Sequence, residues 1–140
     1  MSYDDGRYNT VQVLRLGQDQ KAQTSVIGAA VVHDRATFMQ NVTVTDFSVM
    51  VYDGCTTTGA AATTAFHVVL GKSLAGTGAV SAIGTAEIGT AANNTVIDAA
   101  VTDTDFDAGD DIVLQFAAGT ALPAGMVKVA ACVEFKERFV

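Results

Sequence analysis

Apolar and polar residues alternate along most of this chain with a period of two, as in strands that bury only one face. In the last such segment every second residue from Val127 to Phe135 is apolar, whereas Lys128 and Glu134 fall on the opposite face. Residues 112–117 repeat the pattern. Sustained i, i+3, i+4, i+7 apolar spacing of the helical kind is missing from the sequence. The pattern therefore predicts an all-β protein.

Segments rich in β-branched and aromatic residues recur along the chain, with Gly, Asn, Asp or Pro between them. Eight strands are predicted, at residues 11–16, 24–33, 39–52, 64–71, 79–88, 94–101, 112–117 and 126–135. About eight strands in one chain favour a single antiparallel β-sandwich of the jelly-roll kind, although another Greek-key connection would leave the same pattern. We expect an N-terminal arm at residues 1–10 and one sandwich domain at residues 11–140.

The alternation changes phase inside the segment at residues 39–52. Val42 and Val44 share one parity and Phe47 shares the other, across Thr45 and Asp46. One extra residue in a strand is the signature of a β-bulge. Bends of this type also let a long strand leave one sheet and enter its neighbour. We therefore expect a bulge or bend at this point, and two packed sheets.

Charge and composition narrow the kinds of molecule that this chain is expected to bind. The chain has 140 residues and a formal net charge of −7, so a phosphate backbone would be repelled and nucleic acid is not an expected partner. Charged residues make up 16% of the chain, against about 25% in typical domains. This deficit favours burial against other chains in a homo-oligomer or a larger assembly. Abundant Ala, Gly and Thr would explain it equally well without apolar patches.

The N-terminal sequence contains no apolar core after a basic start, so a secretory signal is not expected. The stretch between Gly54 and Gly71 has no charged residue, but it is rich in Thr and Gly and contains His67. These residues argue against a membrane span. We therefore predict a chain without a transmembrane segment, made in the cytoplasm.

Candidate catalytic residues are few. His33 and His67 lie outside any nucleophile motif, and neither has an obvious partner for acid and base chemistry. His67 alternates with apolar neighbours and should point to the less buried face of its strand. His33 is expected at a strand end, in a surface hydrogen bond beside Asp34 and Arg35. We predict that the chain is not an enzyme and needs no cofactor.

Two cysteines, Cys55 and Cys132, match no metal-binding spacing such as C-x-x-C. One interpretation is that they form a disulfide bond. The other is that both are small apolar residues kept reduced, and this is favoured because proteins made in the cytosol retain their thiols.

A run of aspartates, Asp103, Asp105 and Asp107, invites comparison with a calcium-binding loop. An EF-hand loop that starts at Asp103 needs Gly at its sixth position and Glu at its twelfth, where this chain has Ala108 and Leu114. Two interpretations remain, a solvated acidic turn in which Gly109 adopts a positive φ, and an adventitious cation site. We assign no metal ligands.

Both ends of the chain combine aromatic or apolar residues with charge. Aromatic residues and Arg are typical of interaction hot spots. Ordinary capping of the sandwich by its termini would explain the same residues. If the ends are used for contact, the candidate interface residues are Tyr3, Arg7, Tyr8, Phe139 and Val140.

The last part of the chain, residues 103–140, resembles the C-terminal part of small phage capsid-associated β proteins. The resemblance is carried by Phe106-Asp107-Ala108-Gly109-Asp110, by residues 118–125 and by residues 133–140. It implies a jelly roll that sits as a homotrimer on the outer surface of an icosahedral head. It further implies a structural virion protein that decorates and cements the capsid by binding the major capsid protein.

Two alternatives to a capsid decoration protein remain. One is another virion component, such as a head fibre base or a tail protein. The other is a carbohydrate-binding β-sandwich, a class that usually presents exposed aromatic platforms. The chain has no Trp and only 7% aromatic residues, which weakens the second alternative.

Overall fold

The computed structural model describes residues 11–17, 30–53, 67–88, 94–117 and 128–139. These residues form strands joined by turns, and none of them is helical. The strands are β1 (Gln12–Leu16), β2 (Ala30–Thr37), β3 (Val42–Asp53), β4 (His67–Ser73), β5 (Ser81–Glu87), β6 (Thr95–Ala99), β7 (Asp105–Phe106), β8 (Asp111–Ala117) and β9 (Lys128–Glu137). Each of the eight predicted segments overlaps one of them.

Two antiparallel sheets pack against each other. The first sheet has the order β1-β9-β3-β6, with the two-residue β7 also paired to β3, and the second has the order β2-β8-β4-β5. Each sheet therefore combines strands from distant parts of the sequence, as in a double-sheet jelly roll. This confirms the predicted antiparallel sandwich, with eight main strands and the additional short β7.

The core lies between the sheets and follows the predicted alternation. On β8, Ile112, Leu114 and Phe116 are at most 1% exposed. The inward residues of β9, from Val129 to Val133, are equally well covered. Burial of such side chains removes about 25 cal/mol of unfavourable hydration per Å² of apolar surface, which makes this layer the main source of stability.

Strand β3 contains the predicted bulge. Its pairing with β9 shifts register between Val44 and Asp46. The extra residue shifts the alternation of inward and outward side chains by one position. Val44 and Phe47 are therefore both buried, although one has an even and the other an odd residue number. The strand stays in the first sheet over its whole length, because β3 pairs with β9 from Val42 to Asp53.

Strand β2 ends later than predicted, and residues 24–29 of the predicted segment lie outside the described residues. Its pairing with β8 shifts register between Val32 and Asp34, so His33 occupies a mid-strand bulge. The prediction that His33 ends a strand is therefore wrong. The strand continues through Asp34 because this carboxylate accepts hydrogen bonds from the backbone N–H groups of Gly17, at 2.7 Å, and Arg35, at 2.8 Å.

Candidate functional site

The acidic segment at residues 103–111 is anchored in the core by Phe106. This residue belongs to β7, which pairs with Val42 and Thr43 of β3. Its ring is fully buried and packs edge-on against Phe38, with 5.1 Å between ring centroids. Neither β7 nor this core position was predicted, because a single Phe among aspartates shows no alternation. That isolated Phe was the one available signal.

Three basic side chains of the same chain pair with four of the five aspartates of this segment. The Lys72 Nζ lies 3.2 Å from a carboxylate oxygen of Asp103 and donates a 2.6 Å hydrogen bond to the backbone oxygen of Asp105. The Arg138 Nη2 donates a 2.6 Å hydrogen bond to the carboxylate of Asp107. Arg35 forms the same kind of contact with Asp111, also at 2.6 Å. Charge-assisted pairs of this length are the stronger class of hydrogen bond.

Asp110 is the most deeply buried of these aspartates, at 4% exposure. Its two carboxylate oxygens accept hydrogen bonds from the backbone N–H groups of Ala75, at 3.1 Å, and Asp107, at 2.9 Å. It thereby joins the loop after β4 to the acidic segment. Gly109 has the expected positive φ, at 98°. The turn is solvated, as interpreted, at Asp103, Asp105 and Asp107, whose side chains are more than half exposed, whereas Asp110 is enclosed and bonded.

The positions of the aspartate side chains bear on the second interpretation of this segment, an adventitious cation site. Asp105 and Asp107 both face Arg138, with 3.8 and 2.6 Å between the closest charged atoms. A positive charge of the chain therefore already lies between them. Among the described residues, no group of three or more His, Cys, Asp and Glu side chains is arranged to hold a metal ion.

The two histidines lie on opposite faces of the second sheet. The His33 ring packs edge-on against the inward-facing Phe116, at 4.4 Å between centroids. His67 precedes the fully buried Val68 and is half-buried on the outer face, as predicted. Its Nδ1 is buried and makes no hydrogen bond. The structure therefore does not bring the two imidazoles together.

The outer face of the first sheet contains a groove of about 510 Å³. Arg15, Cys132 and Ser48 form one row across β1, β9 and β3. The next row places Ala130, Met50 and Val96 side by side across β9, β3 and β6. These six residues line the groove together with Tyr52 and Ala131.

This outer groove is largely uncharged where an antiparallel sheet usually meets water with polar side chains. Val96 is 54% exposed at one side of it, and Val13 is 53% exposed on the edge strand β1 of the same face. The sequence did not reveal the groove, because it joins four strands whose order in the sheet was unknown.

Cys132 lies inside the outer groove with a free thiol. Burial raises the pKa of this thiol, and the nearby carboxylates of Glu134 and Asp46 raise the pKa further, whereas Arg15 opposes them. A raised pKa keeps the thiol protonated and weakly nucleophilic at neutral pH. Cys55 lies outside the described residues.

Of the candidate interface residues, the structure describes only Phe139. It follows β9 and is 69% exposed. The preceding residue is fixed to the body of the sandwich, because the backbone N–H of Arg138 donates a 2.8 Å hydrogen bond to the backbone oxygen of Asn41. Tyr3, Arg7, Tyr8 and Val140 lie outside the described residues.

Comparisons of the chain with protein-family models, with curated proteins and with solved structures found no match. The jelly-roll assignment therefore rests on strand order and register. In the part of the chain that the structure describes, no helix has the length and apolar character needed to cross a bilayer.

Proposed function

We propose that this chain is a structural virion protein that decorates and stabilises a phage capsid by binding the major capsid protein. In this proposal it acts through contact alone, as a homo-oligomer on the outer surface of the capsid, and it catalyses no reaction. The resemblance of residues 103–140 to capsid-associated proteins suggests this role. The outer groove of the first sheet is the structural observation that supports it.

The groove supports binding to another protein because apolar side chains form one of its rows, and one of them, Val96, is 54% exposed. Val96 lies next to Met50 in the register of β6 and β3, and Ala130 continues the same row on β9. A row of adjacent apolar residues on an outer face marks an interaction surface more strongly than scattered single residues do. Arg15 at the groove edge would set the orientation of the bound protein.

Contact alone is sufficient for cementing a shell. When each decorating molecule touches more than one capsid subunit, removal of one subunit requires several weak interfaces to break together. The net charge of −7 also fits an outer surface, because an acidic coat disfavours clumping and adhesion to nucleic acid.

Binding to empty heads of the phage that carries this gene tests the proposal. The wild-type chain should co-sediment with the heads and raise the temperature at which they disassemble. Val96→Asp should weaken binding by about tenfold or more, since it places a charge in the apolar row. Val32→Asp is a matched control, because Val32 is 47% exposed on the outer face of the other sheet. A chain that fails to bind heads would contradict the proposal.

Deletion of residues 1–8 tests whether the N-terminal arm contributes to the same interface. The arm contains Tyr3, Arg7 and Tyr8, so its loss should weaken binding to heads more than it lowers the melting temperature. Equal losses of head binding and of stability would show that the arm acts only through the fold.

A carbohydrate-binding module is the second candidate, and Tyr52 is the observation that favours it. Its aromatic ring shares the outer groove with the polar side chains of Arg15 and Ser48. Such a combination suits a sugar ring, which stacks on an aromatic face and bonds through its hydroxyls. Glycan-array binding that Tyr52→Ala abolishes, without co-sedimentation with heads, would favour this candidate.

A further inference from the structure

Strand β1 lies at one edge of the first sheet. It pairs in regular register with β9 on one side, and among the described residues no strand pairs with its other side. Val11 and Val13 are 44% and 53% exposed, and the strand has no Pro, Lys or bulge. An edge of this kind presents unpaired N–H and C=O groups to any other strand.

The other edges of the sandwich differ from this one. On β2, a bulge at His33 and a carboxylate at Asp34 interrupt the edge, and both features disfavour strand addition. Near β5 and β6, a bridge between Gly84 and Val101 joins the two sheets, reinforced by a 2.7 Å hydrogen bond from the Thr102 N–H to the Ile83 oxygen. In the described part of the chain, β1 is therefore the edge that lacks such protection.

We propose that β1 pairs with β1 of a second copy of this chain, antiparallel, about a two-fold axis at Leu14. This register lets all five residues of Gln12–Leu16 overlap. It places Arg15 of the second copy directly opposite Val13, on the same outer face. The two first sheets then become one continuous sheet of ten strands, counting both copies of the short β7. The pairing does not depend on the proposed function.

Charge complementarity favours a second copy of this chain as the partner that binds the β1 edge. On the other side of Val13, the same row continues with Glu134 on β9 and Asp46 on β3. Neighbouring strands lie about 4.8 Å apart, so the long side chain of Arg15 from the second copy can extend over Val13 toward Glu134. The symmetric contact forms twice, since an isologous interface repeats every pair.

A crevice between the sheets supports the same arrangement. It has a volume of about 250 Å³ and opens beside β1, where Leu14, Phe38 and Phe135 line it. Leu14 is only partly buried there, although it packs against the core. Placing Leu14 of the second copy next to Leu14 covers this opening with apolar surface.

Two substitutions of the exposed Val13 test the pairing, because one introduces a positive charge and the other a negative charge. Size-exclusion chromatography with light scattering should give twice the 14.4 kDa of the single chain. Val13→Lys faces Arg15 of the second copy and should raise the dimer dissociation constant by about tenfold, since like charges repel at two sites. Val13→Glu faces the same Arg15 and should retain the dimer.

The two substitutions should affect the stability of the folded monomer in the opposite order. Residue 13 lies beside Glu134, so Lys at this position favours the folded monomer and Glu disfavours it. Greater dimer loss with Val13→Lys than with Val13→Glu therefore cannot come from monomer stability. Val96→Lys is the control on the far strand, at 54% exposure, and should leave the dimer intact. A monomer, a trimer, equal losses for both Val13 variants, or dimer loss with Val96→Lys would overturn the pairing.

Discussion

The acidic segment at residues 103–111 and the outer face of the first sheet differ in where their side chains find partners. In the acidic segment, Asp103 contacts Lys72 and Asp107 contacts Arg138, both within the chain. On the outer face, Val13 and Val96 are more than half exposed. The first region pairs most of its charges within the chain, whereas the second leaves apolar side chains open to solvent.

This difference offers a structural reason for the small share of charged residues in the chain. The chain has only eight Lys and Arg residues, and Arg35, Lys72 and Arg138 are bound to the acidic segment. Basic side chains that hold a loop in place cannot also coat an outer surface. We therefore infer that the acidic segment serves stability and that the outer face is the region available for contact.

The largest effect on stability should come from the anchor of the acidic segment. Phe106→Ala removes a fully buried ring and should lower the free energy of unfolding by about 3 to 5 kcal/mol. Val96→Ala on the outer face should cost less than about 1 kcal/mol, because more than half of that side chain is exposed. Urea denaturation of both variants measures the difference. Similar losses would remove the distinction between the two regions.

The next largest effect should come from the enclosed carboxylate. Asp110→Ala leaves the N–H groups of Ala75 and Asp107 without their acceptor, at a cost of about 3 kcal/mol. Asp98→Ala is the matched control, because Asp98 is exposed on β6 and its loss should change the free energy of unfolding by about 0.5 kcal/mol or less. A tolerated Asp110→Ala would mean that this carboxylate does not stabilise the turn.

Most of the fold could be predicted because alternation is a local signal. The inward positions of β8 and β9 and the bulge at Thr45 and Asp46 were all visible in single segments. Strand β2 was misplaced because Asp34 and Arg35 resemble a turn. The hydrogen bond that keeps Asp34 in the strand comes from Gly17, a distant residue that no local pattern reveals.

The candidate site was harder to predict, because its residues come together only through strand order. Arg15, Ser48 and Cys132 are far apart in the sequence, and the register of three strands makes them neighbours. The burial of Asp110 was missed for a similar reason, since its partner Ala75 lies in another loop. An aspartate in an acidic run is normally exposed, and only tertiary contact reverses that expectation.

The smallest effect should be seen at Cys132. The charges of the outer face influence the pKa of its thiol without pairing with it directly. Burial, Glu134 and Asp46 raise the pKa of the thiol above its ordinary value near 9.0, so alkylation should be slow at pH 8 and should still be accelerating with pH at 9.0, because the thiolate fraction levels off only above the pKa.

Two substitutions should shift the alkylation rate at pH 8 in opposite directions. Asp46→Asn removes a negative charge but keeps an oxygen for its 2.9 Å hydrogen bond from the Phe47 N–H, so the thiol pKa should fall and the rate rise about twofold. Arg15→Ala removes the opposing positive charge, so the pKa should rise and the rate fall by about the same factor.

Quantitative mass spectrometry that resolves Cys132 from Cys55 measures both rates on the folded protein. Rates that do not respond to either substitution would mean that burial alone governs the thiol. A loss of folding in Asp46→Asn would mean that this carboxylate holds the β3 bulge, as Asp110 holds the acidic segment, and the contrast between the two regions would narrow.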